Sequence, residues 1–248
     1  MKKGEMPAIF FISDLHFGLQ DEKSEQLKIE NLERLFAIIK AEGRSLYMLG
    51  DIFDYWMEFR HLIPKGFTRF LYLLSDLVRH NIEVVYVAGN HDFYLGRYFD
   101  EELGIKTMYG LNEMLYDGRK FIFAHGDGLG NGDLGYKLFA RLVRNRFNLA
   151  LLSGFHPDLA IGLMKMLSQL SRKHKPADRV FEIDRLLNFA ESLAAEKDFD
   201  YFICGHNHVK GVRELSGGAS RYVNLGTWID GSLPYGVFYN GVFQLKEL

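Results

Sequence analysis

Short apolar runs that end in metal-type ligands set the strongest limit on how this chain can fold. Five such fragments occur: Ser13-Asp14-Leu15-His16, Gly50-Asp51-Ile52-Phe53-Asp54, Gly89-Asn90-His91-Asp92, His125-Gly126-Asp127 and Gly205-His206-Asn207-His208. Nearly all follow an apolar run, and five of the nine histidines fall inside them. A hydrophobic core has no use for such groups at strand ends, whereas a pair of divalent ions has. Imidazole nitrogen and carboxylate oxygen suit Mn, Fe and Zn, and a two-ion site takes about seven protein ligands with one carboxylate bridging.

The order of elements agrees with that reading. Ala8 to Ile12 reads as a buried strand. Ser24 to Glu42 reads as a helix with Leu32, Leu35, Phe36, Ile38 and Ile39 on one face and Gly43 ending it. Leu46 to Leu49 is a second strand, Phe67 to His80 a second helix, and Ile82 to Val87 a third strand. This βαβαβ rhythm predicts parallel strands with chemistry at their carboxyl ends. Asp14 and His16 are two apart, so on an extended strand end both side chains point to one side. Asp51 and Asn90 follow the next two strands, with Gly50 allowing a tight turn. His125 and the pair His206/His208 end the runs Lys120 to Ala124 and Asp200 to Cys204. Asp117-Gly118 and Asn240-Gly241 each join two β-like runs and predict tight hairpins. A helical stretch is expected from about Asp133 to Glu196. With no repeat, low-complexity segment or linker, residues 1–248 read as one domain carrying a helical insertion at about 130–178.

Composition narrows the class. Hydrophobic content of 48% supports a sizeable core, and a formal net charge of −2 gives no general attraction for nucleic acid. The single Cys204 allows no internal disulfide and fits a reducing compartment. The run Ala8 to Ile12 is too short for a signal segment, and no stretch reaches the ~20 apolar residues of a spanning helix. The expected location is cytoplasmic, without an integral membrane segment.

In this order and these contexts the five fragments resemble the calcineurin-like metallophosphoesterase superfamily. The resemblance implies an α/β fold, an αββα sandwich with a helical insertion forming a cap. It also implies two divalent metal ions, expected as Mn(2+). Asp14, His16, Asp51 and His208 would hold one; Asp51, Asn90, His125 and His206 would hold the other, with Asp51 bridging. Asn90 and His91 would be catalytic, with His91 near the leaving-group oxygen or a nonbridging phosphate oxygen. Asp54, Asp92 and Asp127 are expected to orient histidines or cap loops.

Further residues narrow the resemblance. The run GDIFDYW with Trp56, the run HGDGLGNGDLGYKLFARLVR from His125 to Arg144, and NLGTWIDGS from Asn224 to Ser232 resemble the UDP-diacylglucosamine pyrophosphatases of lipid A synthesis. Those enzymes hydrolyse the pyrophosphate bond of UDP-2,3-diacylglucosamine to UMP and 2,3-diacylglucosamine 1-phosphate (lipid X). The chain departs from the best-known branch at His91, where that branch has Arg, at Gly130, where it has Cys, and at Asn207-His208-Val209-Lys210. By the same resemblance Asp133 and Tyr136 would contact sugar or phosphates, and Ser171, Arg172 and Lys175 the lipid head group. The alternative is a soluble metallophosphoesterase acting on nucleotides, cyclic nucleotides or phosphoproteins.

The insertion carries its own charge signal. Between Asp133 and Asp178 there are eight Lys and Arg and three acids, formally +5. The apolar runs Phe147 to Phe155 and Leu159 to Met164 lie between its basic ends, with Pro157 and Asp158 reading as a helix start. Leu159, Leu163, Met166 and Leu170 share one face, while Ile161, Met164 and Leu167 extend apolarity around most of the helix. Such a helix is buried, touches acyl chains, or lies in a membrane interface. The expected partners are a glycolipid nucleotide substrate and an anionic membrane surface, on the cytoplasmic face of the inner membrane. Neither nucleic acid nor an obligate protein partner is expected.

Overall fold

The computed structural model describes residues 6–92, 94–130, 154–173 and 179–248, with 167–173 and 179–184 as backbone alone. In chain order the elements are β1 (Ala8–Ile12), α1 (Glu22–Glu42), β2 (Gly43–Leu49), α2 (Thr68–Arg79), β3 (Glu83–Val87), α3 (Tyr98–Glu101) and β4 (Lys106–Met108). Then come β5 (Asn112–Tyr116), β6 (Arg119–Phe123), α4 (Pro157–Lys173) and α5 (Arg179–Glu196). The chain continues with β7 (Tyr201–Cys204), β8 (Gly211–Glu214), β9 (Arg221–Asn224), β10 (Pro234–Tyr239) and β11 (Val242–Glu247).

Two sheets form. One has the order β11-β10-β1-β2-β3-β4, the other β5-β6-β7-β9-β8. As expected from the βαβαβ rhythm, β1, β2 and β3 run parallel. Strand alternation then sorts the core into three seams. Ile9, Phe11, Tyr47, Leu49, Val85 and Val87 face Phe121, Phe123, Tyr201, Ile203 and Val223 between the sheets. The opposite faces carry Phe10, Ile12, Leu46, Met48 and Val84 toward α1 and α2. Ile122, Phe202 and Cys204 pack toward Leu186, Ala190 and Leu193 of α5. Because the strands are covered on both sides they read as nearly continuous apolar runs. The result is the expected four-layer αββα sandwich. Phe11, fully buried, stacks on Tyr47 at 5.2 Å and on Phe121 at 6.3 Å, stitching the sheets together. Burying one such ring contributes ~1.5–3 kcal/mol.

Local chemistry explains the ends. Asp21 caps α1 by accepting from the Ser24 N–H at 3.0 Å, and Glu22 and Glu25 add negative charge to the first turn. Helix α1 runs directly into β2 at Gly43, three residues earlier than Leu46, because the capping N–H of Gly43 bonds back to Ile39 while its own backbone is already extended. Both expected hairpins form. Asp117 and Gly118 have φ of 48° and 69°, and Asn240 and Gly241 have 50° and 76°, as a primed turn requires.

Of the expected insertion, α4 is described, and residues 131–153 and 174–178 lie outside the described residues. Helix α4 begins at Pro157 and buries Ala160 and Met164 in the cluster shared with α1 and α2. Its other face is exposed: Leu159 is 68%, Leu163 38% and Met166 50% accessible, with Phe155 just ahead at 51%. Among the described residues no helix is long and apolar enough to cross a membrane.

Candidate metal centre

The carboxyl ends of β1, β2, β3, β6 and β7 deliver their ligand-type residues to one place. Asp14 Oδ1 lies 3.1 Å from His208 Nε2 and 3.7 Å from His16 Nε2, and the two imidazole nitrogens are 3.2 Å apart. Asp51 Oδ2 lies 3.2 Å from His125 Nε2 and 3.7 Å from His16 Nε2. Asn90 Oδ1 is 2.9 Å from His206 Nδ1 and 3.1 Å from His125 Nε2. The seven residues read from the sequence therefore meet, and Asp51 touches both halves. Asp133, Tyr136 and Lys175 lie outside the described residues, as do the side chains of Ser171 and Arg172.

The convergence is reached by a route that strand alternation does not give. Asp14, His16, Asp51, His206 and His208 all have left-handed backbones, with φ of 54°, 47°, 50°, 73° and 61°. Asp14 and His16 therefore meet through two left-handed residues rather than by pointing the same way from an extended strand. Such conformations cost ~1–3 kcal/mol each and persist only where the surroundings over-determine them. The surroundings do so here. Asp14 N–H donates to Gly50 O at 3.1 Å, His16 N–H to Asp51 O at 3.0 Å, and Phe17 N–H to Ile52 O at 2.9 Å. The N–H of His206 donates to Asp14 Oδ2 at 3.0 Å. Gly50 has φ 82°, and a Cβ there would sit 2.6 Å from His125 Nδ1. A Cβ on Gly205 would collide with Ser13 Oγ and Asp14 Oδ2.

Behind the ligands stand residues with defined partners. His125 Nδ1 faces the Leu49 carbonyl at 2.8 Å, so it carries the proton and Nε2 offers its lone pair inward. His91 Nδ1 does the same toward Asp54 O at 3.0 Å, leaving Nε2 4.0 Å from Asp51 Oδ2. Asp54 lies 3.6 Å from His16 Nδ1 and 3.8 Å from His91 Nδ1. Asp92 touches backbone rather than a histidine: it accepts from the N–H groups of Asp51 at 2.9 Å and Gly89 at 2.8 Å, and from Tyr86 OH at 2.6 Å. Residues given no role from sequence also hold the site. Thr227 Oγ1 and Trp228 N–H donate to Asp14 O at 3.0 and 3.1 Å, and Asn224 Nδ2 to Gly205 O at 2.7 Å. The NLGTW run is the visible trace of these contacts. Tyr86, inside an apolar strand, leaves no trace.

Electrostatics follows from burial and crowding. Burial pushes the carboxyls of Asp14 and Asp51 up, but neighbouring imidazoles outweigh it and hold both below the ordinary range. Burial likewise opposes a proton on His16 and His125; Asp14, Asp54 and Asp51 outweigh it and raise His16 to about 9, and chiefly Asp51 raises His125 to about 10. His91 goes the other way, because burial dominates and lowers it. With divalent ions chelated away, the two raised histidines stabilise the fold fully below their unfolded value of 6.5, and lose that contribution as pH climbs through 9 and 10. His91 adds nothing to the slope there, since its contribution is already present above its unfolded value. The melting temperature of chelated protein should therefore fall between about pH 7 and about pH 9 in calorimetry. A flat or rising trend contradicts this assignment.

The donor set fits a divalent cation. Asp14 Oδ1 is buried and makes no hydrogen bond of ordinary geometry, although His208 Nε2 is only 3.1 Å away. His125 Nε2 and His206 Nδ1 likewise sit 3.2 Å apart, a pairing that two lone pairs do not sustain without a cation or a shared proton. Three groups among the described residues could hold a metal ion, Asp14/His16/His208, His16/Asp51/His91 and Asp51/His125/His206, with the nitrogen and oxygen ligands that Mn, Fe and Zn prefer.

Comparison with known proteins agrees with this geometry. Residues 7–210 match the calcineurin-like phosphoesterase family. A protein of Porphyromonas gingivalis named UDP-2,3-diacylglucosamine hydrolase is 33% identical over 238 residues, covering 89% of this chain and 90% of its own. One of the same name from Neisseria meningitidis is 28% identical, covering 89% of this chain and 99% of its own. The structure of vacuolar protein sorting 29 from Cryptosporidium parvum superposes with a TM-score of 0.50 at 12% identity, over 98% of this chain and 96% of that one, a likeness of fold alone. The chain belongs to the calcineurin-like phosphoesterase family, whose members use divalent metals at such His/Asp clusters.

Proposed function

We propose that the protein hydrolyses the pyrophosphate bond of UDP-2,3-diacylglucosamine, giving UMP and 2,3-diacylglucosamine 1-phosphate, with two Mn(2+) ions. The observation that carries the reading is the cluster Asp14/His16/His208 beside Asp51/His125/His206, with Asp51 Oδ2 also 3.7 Å from His16, in a chain 33% identical over most of its length to a protein named UDP-2,3-diacylglucosamine hydrolase. Asp14, His16, His208 and Asp51 would hold one ion; Asp51, Asn90, His125 and His206 the other. When bound, two such ions neutralise charge on phosphoryl oxygens and acidify water. In the reaction an oxygen from water joins the uridine-side phosphorus, the bond to the bridging oxygen breaks, and the lipid phosphate leaves with that oxygen. Incubation of Mn-loaded enzyme should yield those two products by mass spectrometry. Release of UDP, or intact substrate, contradicts the reading.

The chain's own residues orient and stabilise. Asp51 is fixed by the His91 N–H on Oδ1 at 2.8 Å and by Asp92 on its own N–H. Burial disfavours a second proton on His91, whose Nδ1–H is held by Asp54 O. An anionic phosphate near Nε2 favours the protonated ring, which then donates to a phosphate oxygen. Because the lipid phosphate leaves readily, His91 serves by stabilising charge. His91→Ala should cut the rate by roughly 10² to 10⁴ while metal content stays near wild type. Loss of an ion would instead make His91 a ligand. His91 is also what favours the second reading, a soluble metallophosphoesterase acting on nucleotides, cyclic nucleotides or phosphoproteins.

Substrate contacts by Asp133, Tyr136, Ser171, Arg172 and Lys175 belong to this proposal. So does peripheral attachment to the cytoplasmic face of the inner membrane. The support is the exposed face Phe155, Leu159, Leu163 and Met166 in a segment of formal charge +5. Such a surface binds anionic vesicles more tightly than neutral ones, and less tightly as salt rises. Sedimentation with phosphatidylglycerol and phosphatidylcholine vesicles tests this. Indifference to both would confine the apolar face to substrate.

A further inference from the structure

His16 differs from His125 and His91 in having no hydrogen bond behind its ring. His125 and His91 are aimed by main-chain carbonyls at 2.8 and 3.0 Å. His16 Nδ1 is buried without a hydrogen-bond partner, its nearest acceptor being Asp54 Oδ1 at 3.6 Å. Beyond this longer-range pull of Asp54, the direction of the ring depends on its backbone, which is left-handed at φ 47°.

That backbone is gripped from α1. Lys28 is a lysine with a side chain only 3% exposed. Its ammonium donates to Leu15 O at 2.9 Å, lies 3.5 Å from His16 O, and meets Glu25 Oε1 at 3.1 Å. Glu25 in turn accepts the N–H of Gly18 at 3.1 Å and of Gln20 at 3.0 Å. An ordinary i,i+3 pair on a helix surface contributes little and has no reason to be buried. Here both charges end on the main chain of a single loop, residues 15–20, and a lysine is buried only with such partners.

We propose that Lys28 and Glu25 are positioning residues that fix the aim of His16, and so the occupancy of the ion shared by Asp14, His16 and His208. This rests on the two-ion reading above. Neither residue is among those given a substrate contact above. They act through the backbone of a strained ligand, much as outer hydrogen bonds orient metal-bound imidazoles elsewhere.

The test titrates Mn(2+) alone into chelated wild type, Lys28→Met, Lys28→Arg and Glu25→Gln, by calorimetry and by the magnetic coupling of paired Mn ions. Turnover of a simple aryl phosphodiester is measured alongside. Lys28→Met keeps the apolar stem and loses the ammonium; Glu25→Gln keeps the shape and is the gentler variant if Lys28→Met does not fold. The expected result is about 10- to 100-fold weaker binding of one ion, the other unchanged within about twofold, and a weakened coupling signal. The kcat should fall with KM steady at fixed Mn(2+), and Lys28→Arg should recover most of both. Variants that melt earlier yet bind both ions as wild type does would make the pair a fold element only and overturn the proposal. Equal weakening of both ions would also overturn it. Wild type that takes up no Mn(2+) would overturn the two-ion reading together with this one, whereas a wrong lipid substrate leaves the titration readable.

Discussion

Asp51→Asn should lower hydrolysis at least about 10³-fold, the upper range for losing one electrostatic group at a reacting centre. The effect should exceed that of any other single ligand, because Asp51 Oδ2 faces His125 at 3.2 Å and His16 at 3.7 Å, one in each cluster. Asparagine keeps the volume and an Oδ1 to accept from the His91 N–H. The fold should therefore persist in circular dichroism while Mn content drops below about two per chain. Full activity in a correctly folded variant would remove Asp51 from the bridging role.

The second large effect concerns the acyl chains. Turnover efficiency on UDP-2,3-diacylglucosamine should exceed that on UDP-N-acetylglucosamine by orders of magnitude. Burying five methylenes at about 0.8 kcal/mol each is worth nearly a thousandfold if that energy positions the reacting phosphate. The exposed face of α4, with Leu159, Leu163 and Met166, is available for such chains. Steady-state kinetics on both substrates and on an aryl phosphodiester decides the matter. Equal efficiency on the unacylated nucleotide or the ester would take the lipid out and favour the soluble phosphodiesterase.

Much of this site could be read directly from residue order. A buried strand followed by Asp, Asn or His is chemically conspicuous, because burial and charge conflict unless a partner is present. That conflict made Asp14, His16, Asp51, Asn90, His125, His206 and His208 visible, and Asp-Gly and Asn-Gly made the hairpins visible. Backbone conformation did not show. No residue type announces that His16 or Asp51 will be left-handed, so strand alternation was the natural but mistaken geometry for Asp14 and His16. Lys28 was equally silent, since a lysine on an amphipathic helix is ordinarily solvated. Helix α3 at Tyr98–Glu101 and strand β4 at Lys106–Met108 are too short to show a period, although Phe99 is fully buried. For α4 the apolar pattern ran most of the way round, and only packing revealed that Ala160 and Met164 face inward while Leu159 and Met166 face out.

The reaction itself is tested most directly by running it in water enriched in heavy oxygen, with Mn(2+) and UDP-2,3-diacylglucosamine, and weighing both products. Attack at the uridine-side phosphorus places one heavy oxygen in UMP and none in 2,3-diacylglucosamine 1-phosphate. Label in the lipid phosphate would contradict attack at the uridine-side phosphorus, and substrate recovered intact from metal-loaded enzyme would contradict the proposed hydrolysis.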